Sequence, residues 1–229
     1  MKIIEQSITF EEELDGEAII RKIENAARTC YRSEHAVKDF GAACSFVSSL
    51  VRRGHDSTLE HVSVSARVVT NRSISHQWVR HRVGCSYSQE STRYCNYGGE
   101  KFGAELTVIW PWWLGEMPAD PHKLGRYSFD TLSEEATTDA YIWYAAMKSA
   151  EQYYKQLIKR GRKPDEARGV LAHDLKTEFV VTMSLRAWRH FLHLRCAAAA
   201  HPQIRHLACS AYLHLSKSIP VIFDDLDVR

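Results

Sequence analysis

Residues 61–70 alternate without a break, with Val62, Val64, Ala66 and Val68 on one face and Ser63, Ser65 and Arg67 on the other. A period of two is the side-chain period of an extended chain, so this run predicts a half-buried strand whose apolar face must be covered. Leu175, Thr177, Phe179, Val181 and Met183 repeat the pattern further on. Both runs lead straight into a helix start. Asn71 can cap a helix beginning near Arg72, with Gln77, Arg80 and His81 towards its far end and the region of Gly84 closing it. Ser184 can open a helix that carries Arg186, Arg189, His190 and Arg195. Cationic side chains therefore gather at two helix termini.

The remaining elements surround these two junctions. Residues 2–10 predict a first strand, and residues 17–31 a helix through Ala18, Ile19, Ile23, Ala26, Ala27 and Cys30. A second helix spans residues 38–53, with Arg52 and Arg53 suited to its negative end and Gly54 placed to end it. Residues 105–110 predict a short strand and 111–125 a loop rich in Pro and Trp. A long helix over 133–160 carries Tyr141, Tyr144, Met147, Tyr154 and Leu157 as packing residues. Gly161 ends it, and Pro164 starts a short helix bearing Arg168. The last helix spans 201–216 and packs through Ile204, Leu207, Ala208, Tyr212 and Leu215. Strands and helices intersperse with no linker or repeat, which predicts one α+β domain over residues 1–229, a sheet covered by helices.

Composition narrows the function. A chain 45% hydrophobic and 25% charged can bury a core, and a formal net charge of only +2 is less than a general nucleic-acid binder shows. The six cysteines include no Cys-x-x-Cys pair, and no nearby His pair completes a zinc spacing, so no metal is expected. Free thiols, no apolar leader and no membrane-length apolar run predict a cytoplasmic protein.

Residues 76–94, HQWVRHRVGCSYSQESTRY, set three arginines and two histidines beside small hydroxyl and amide side chains. Guanidinium groups pair with phosphate or carboxylate through two parallel hydrogen bonds, while Ser, Thr and Gln supply neutral contacts that orient a nucleotide. Arg186 and Arg195 stand roughly two and a half turns apart, so they flank different parts of a large ligand rather than one atom. Arg168 and Arg93 add further anion contacts. Ser91 has no evident base and is read as a phosphate contact, and Cys85 as small packing filler rather than a nucleophile.

Five segments together carry a resemblance. Arg80-His81-Arg82 followed by Ser91-Thr92-Arg93-Tyr94 resembles the signature of the flavin-dependent thymidylate synthases. Residues 55–61, HDSTLEH, are similar to that family's upstream segment, and residues 27–31, ARTCY, to an early one. Residues 166–171, EARGVL, and Ser184-Leu185-Arg186 with His190 and Arg195 match its C-terminal blocks. Two departures stand out. Residues 83–90 hold one residue more than the usual spacing before the signature serine, and Ser184 replaces a frequent Asn.

The resemblance implies the family's α+β fold and a set of contacts. Ser57, Arg80, His81, Arg82, Gln89, Ser184, Arg186 and His190 would touch FAD. Gln77, Arg80, Gln89, Glu90, Ser91, Thr92, Arg93, Arg168 and Arg195 would bind deoxyuridine monophosphate (dUMP). A homotetramer would build each site from several subunits, with residues 89–93 serving a neighbour. The implied reaction is reductive methylation of dUMP to dTMP, with 5,10-methylenetetrahydrofolate giving the carbon and NADPH-reduced FAD the hydride. Arg195 would be the catalytic group, stabilising an ionised pyrimidine without a covalent bond to protein. Two other readings compete: a nucleic-acid-binding module, from the Arg/His cluster and ten tyrosines, and a catalytically inert nucleotide-binding homologue, from the extra residue and Ser184.

Overall fold

The structure is a computed structural model, and it describes residues 1–30, 32–33, 39–126 and 138–228. Expectations at Tyr31, at residue 38 and over residues 133–137 lie outside them. The elements run β1 (Lys2–Ile4), β2 (Ser7–Phe10), α1 (Gly16–Thr29), α2 (Phe40–Arg52), β3 (Ser63–Asn71), α3 (Arg72–Trp78), β4 (Cys85–Gln89) and β5 (Thr107–Ile109). They continue through α4 (Asp139–Lys159), α5 (Pro164–Ala167), β6 (Lys176–Ser184), α6 (Leu185–Arg195), α7 (Pro202–Ser218) and α8 (Pro220–Phe223). The mixture of helices and strands is the α+β class that the sequence predicts.

The chain divides into two compact units. The first holds Met1–Ser7, Val69–His76 and Gln89–Glu178, and the second Ile8–Val68, Gln77–Ser88 and Phe179–Arg229. In the first, β1 pairs parallel with β5, Lys2 opposite Thr107 and Ile4 opposite Ile109. Trp143, Tyr144 and Met147 of α4 pack with Ile3, Val108 and Trp110, while Tyr97, Leu106, Tyr154 and Leu175 form a second cluster. Asp174 ties this unit together. Its carboxylate accepts from Asn71 Nδ2 at 2.8 Å and from the Trp143 indole at 2.9 Å.

A four-stranded sheet of order β2-β3-β6-β4 falls mostly in the second unit. β3 and β6 are its central strands, and the predicted alternation holds on both, with Val64, Ala66, Val68, Phe179, Val181 and Met183 buried. Helix α6 lies on this sheet through Trp188, whose indole donates to the Val64 carbonyl at 3.1 Å. Trp78 packs against Phe191 at 4.1 Å between centroids with a 31° tilt, and edge-on to Trp188 at 6.3 Å. Burying side chains such as Phe191 and Leu192 contributes about 1.5–3 kcal/mol each.

Both predicted caps form. Asn71 Oδ1 accepts from the Ile74 amide at 2.8 Å, and Ser184 Oγ from the Ala187 amide at 3.2 Å. Gly54, at φ +69°, follows α2 as predicted.

Several expectations are corrected. The first strand is two, because its ends join different sheets: β1 pairs with β5 and β2 with β3. Helix α3 stops at Trp78, well before Gly84. Its end closes when the His81 amide bonds the Trp78 carbonyl at 2.9 Å, and the Tyr87 hydroxyl shares its proton between the Trp78 and His81 carbonyls at 2.9 and 2.8 Å. Residues 85–89, to which the sequence assigns no element, form strand β4 at the sheet edge. The loop after β5 contains two 3-10 turns, Trp112–Leu114 and Pro121–Arg126, and α8 is an addition.

Candidate functional site

In the second unit, the turn after α3 and the α6 helix line one cavity of about 890 Å³, within the usual range for a ligand site. Arg52, Arg80, Arg82, Arg186, Arg189 and Arg195 line it, with Asp56 and Glu60 as its acidic members. His81, His190, His193 and Ser184 also face it. Helix geometry explains the α6 contribution: Arg186, Arg189, His190 and His193 fall at i, i+3, i+4 and i+7, one stripe of a helix. The predicted pair Arg186 and Arg195 share this cavity from opposite ends of α6.

Arg195 is the best-defined cation. Its Nε donates to His81 Nε2 at 3.0 Å and its Nη2 to the Gln77 carbonyl at 3.3 Å. Both partners are neutral, and no carboxylate among the described residues pairs with it. Burial, then the Arg195 and His190 charges, lower the His81 pKa from 6.5 to about 4. His81 is therefore a neutral acceptor near pH 7, and Arg195 keeps its full charge facing the cavity.

Gly84 shapes the bend between Arg82 and β4. It adopts φ +68°, its carbonyl accepts the Ser184 amide at 3.0 Å, and a Cβ there would stand 2.9 Å from Ser184 Oγ. The segment with the extra residue thus lies directly on the N-terminus of α6. Ser184 is buried and its oxygen accepts the Ala187 amide as a cap, which leaves its proton and one lone pair for a ligand.

Ser57 lines a smaller neighbouring cavity of about 430 Å³, with His55, Thr58 and Cys30. Arg186, Gly54 and Asp56 belong to both cavities. Arg186 is exposed and paired with Glu60 at 2.6 Å.

The other predicted contacts form a cluster within the first unit. Gln89 Nε2 donates to Ser75 Oγ and Thr177 Oγ1, both at 3.0 Å. Glu90 accepts from Tyr97 at 2.6 Å and from Lys176 at 2.8 Å. Burial, and then the bond to Glu90, push the Tyr97 hydroxyl pKa far up, which keeps it a proton donor. Arg168 Nη1 donates to Thr92 Oγ1 at 3.3 Å, and Ser91 Oγ accepts the Arg93 amide at 3.2 Å. Arg93 is exposed, with its guanidinium 5.5 Å from the Tyr94 ring centroid.

Comparison with known proteins decides the family. The family described as thymidylate synthase complementing protein matches residues 17–221. A flavin-dependent thymidylate synthase of Mycolicibacterium gilvum is 31% identical over 223 residues, covering 96% of this chain and 84% of its own length. The chain belongs to the flavin-dependent thymidylate synthase family.

Enzymes of that name from Geobacter sulfurreducens and Mycobacterium bovis are 31% and 33% identical, covering 87% and 90% of this chain and 78% and 79% of their own. A flavin nucleotide carries phosphate as well as aromatic rings. A cavity with six arginines against two carboxylates, and with Val51, Ala187 and Leu194 for apolar contact, fits such a group. Sequence reasoning passed over Arg52, Arg189, His193 and Leu226 as lining residues. The helical stripe signals Arg189 and His193, but nothing local signals Leu226. Among the described residues no cluster suits a metal ion, and no helix is long and apolar enough to cross a membrane.

Proposed function

We propose that this chain catalyses reductive methylation of dUMP: dUMP, 5,10-methylenetetrahydrofolate, NADPH and a proton give dTMP, tetrahydrofolate and NADP⁺. The observation that carries this reading is Arg195, an unneutralised cation held against neutral His81 in an arginine-lined cavity. FAD, when bound, supplies the hydride that it has received from NADPH.

The chain's own residues do the rest. Arg80 and Arg82 are exposed cations without ion pairs among the described residues, suited to phosphate. Arg186 exchanges Glu60 for ligand phosphate, Ser57 and His190 complete the flavin contacts with Ser184 and His81, and Gln89 reaches the flavin of a neighbouring copy. C5 of neutral uracil is a poor nucleophile. Arg195, placed beside the N3 and O4 edge of dUMP with Gln77, favours the ionised ring and so raises electron density at C5. His81 sets the direction of the guanidinium without cancelling its charge. Burial raises the Cys85 thiol pKa, which supports activation without a covalent cysteine adduct.

Gln89 to Arg93 and Arg168 bind dUMP in the site of a neighbouring copy within a homotetramer. Each chain acts as one domain, in the cytoplasm. The test is dTMP formation by purified protein with all three substrates, with FAD absorbance read on the same sample. A colourless protein whose nucleic-acid binding falls steeply with salt would make it a nucleic-acid module instead. A yellow protein with no dUMP-dependent NADPH oxidation would make it an inert homologue.

A further inference from the structure

Arg189 faces the cavity one turn beyond Arg186, yet its donors are committed elsewhere. Nη1 and Nη2 form a two-point ion pair with Asp225 at 2.5 and 2.7 Å, and Nη1 also donates to the Ile222 carbonyl. The Arg189 side chain is 15% exposed and that of Asp225 43%. Two parallel bonds fix direction as well as charge. The residues beyond α8 are thereby tied to α6, and Leu226, next to Asp225, becomes a wall of the cavity. The family match stops at residue 221, so this wall lies outside the matched stretch.

We propose that Leu226, held by the Arg189–Asp225 clamp, packs against an aromatic ring of the bound flavin and acts as a specificity-determining contact. The inference rests on the FAD reading of this cavity. Its logic is a division of labour among the arginines. Arg186 and Arg189 are paired with Glu60 and Asp225, whereas Arg52, Arg80, Arg82 and Arg195 have no ion pair among the described residues. Phosphate is drawn to the unpaired group and to Arg186, whose exposed partner Glu60 can be exchanged, but not to Arg189, which Asp225 holds at two points. Leucine offers no hydrogen bond; it offers apolar area, shared here with Ala187 and Leu194. The ring is the part of a dinucleotide that gains from such area.

The test is the rate of FAD release from the holoprotein, followed as the return of free-flavin fluorescence on dilution. Leu226→Ala should speed release roughly 10-fold, the scale of losing a few buried methyl contacts, and Leu226→Met should restore it. Asp225→Asn, at an exposed position and so safe for folding, should speed release by a smaller factor. Because the clamp works through Leu226, adding Asp225→Asn to Leu226→Ala should change nothing further. Release at the wild-type rate from Leu226→Ala, or an additive double variant, would overturn the proposal while leaving the FAD reading intact. A wild-type protein that holds no FAD would overturn both.

Discussion

Arg195 donates its Nε hydrogen to Nε2 of His81 across 3.0 Å, joining residues 114 positions apart in the chain. The imidazole must present a lone pair there, so its proton resides on Nδ1 and the ring is neutral. A protonated ring would turn this bond into a meeting of two cations. Lowered basicity of His81 and directed charge on Arg195 are thus one arrangement.

Replacing Arg195 with Ala removes that directed charge. Turnover should fall by about 10²-fold or more, the scale of losing one preorganised electrostatic donor. FAD content should persist, because the unpaired Arg80 and Arg82 remain. Steady-state dTMP formation with FAD absorbance on the same preparation checks both, and full activity in the variant would reject the assigned role.

His81 makes stability depend on pH. Its folded pKa, about 4, lies below the unfolded value near 6.5, so between these limits the unfolded chain binds a proton that the folded one does not. Stability should therefore be lost as pH falls from about 6.5 towards 4. Urea denaturation across that range should show the slope, and His81→Gln should flatten it.

Gly84→Ala tests the bend carrying the extra residue. The new methyl would meet Ser184 Oγ at 2.9 Å and hold an alanine at φ +68°. The cost should be about 1–3 kcal/mol, the usual price of such backbone strain. Gly103 has a similar φ of +73° in the left-handed region with nothing within 4 Å of a built Cβ, and Gly103→Ala should cost less. Equal midpoints for the two variants in urea would contradict the contact with α6.

Asp174→Ala removes one acceptor from the Asn71 side-chain amide and takes away the acceptor of the Trp143 indole. Unsatisfied, partly buried donors cost about 1–3 kcal/mol. Thermal unfolding should move down accordingly, whereas Asp174→Asn, which keeps one acceptor oxygen, should lose less.

Much of the fold was legible locally. The alternation through Val64 to Val68 and through Phe179 to Met183 marked the two central strands, and Asn71 and Ser184 marked the helices that follow them. Strand β4 was not legible, because Cys85-Ser86-Tyr87-Ser88-Gln89 has no continuous apolar face and becomes a strand only by pairing beside β6. The end of α3 was missed for a similar reason: its last carbonyl is taken by Tyr87, a tertiary partner. At the site, Arg80, His81, Arg82, Arg186 and Arg195 were all visible as cations, and the stripe on α6 was available from helical spacing.

The sequence by itself determined which faces are apolar, where helices start and which segments carry anion-binding groups, since these follow from short-range periodicity and capping chemistry. Tertiary structure alone decided that Arg195 meets His81, that Arg189 is spent on Asp225, and that Leu226 reaches the cavity. Those pairings depend on how distant elements pack, and side-chain spacing along one helix or strand says which direction a group points but not what it meets there.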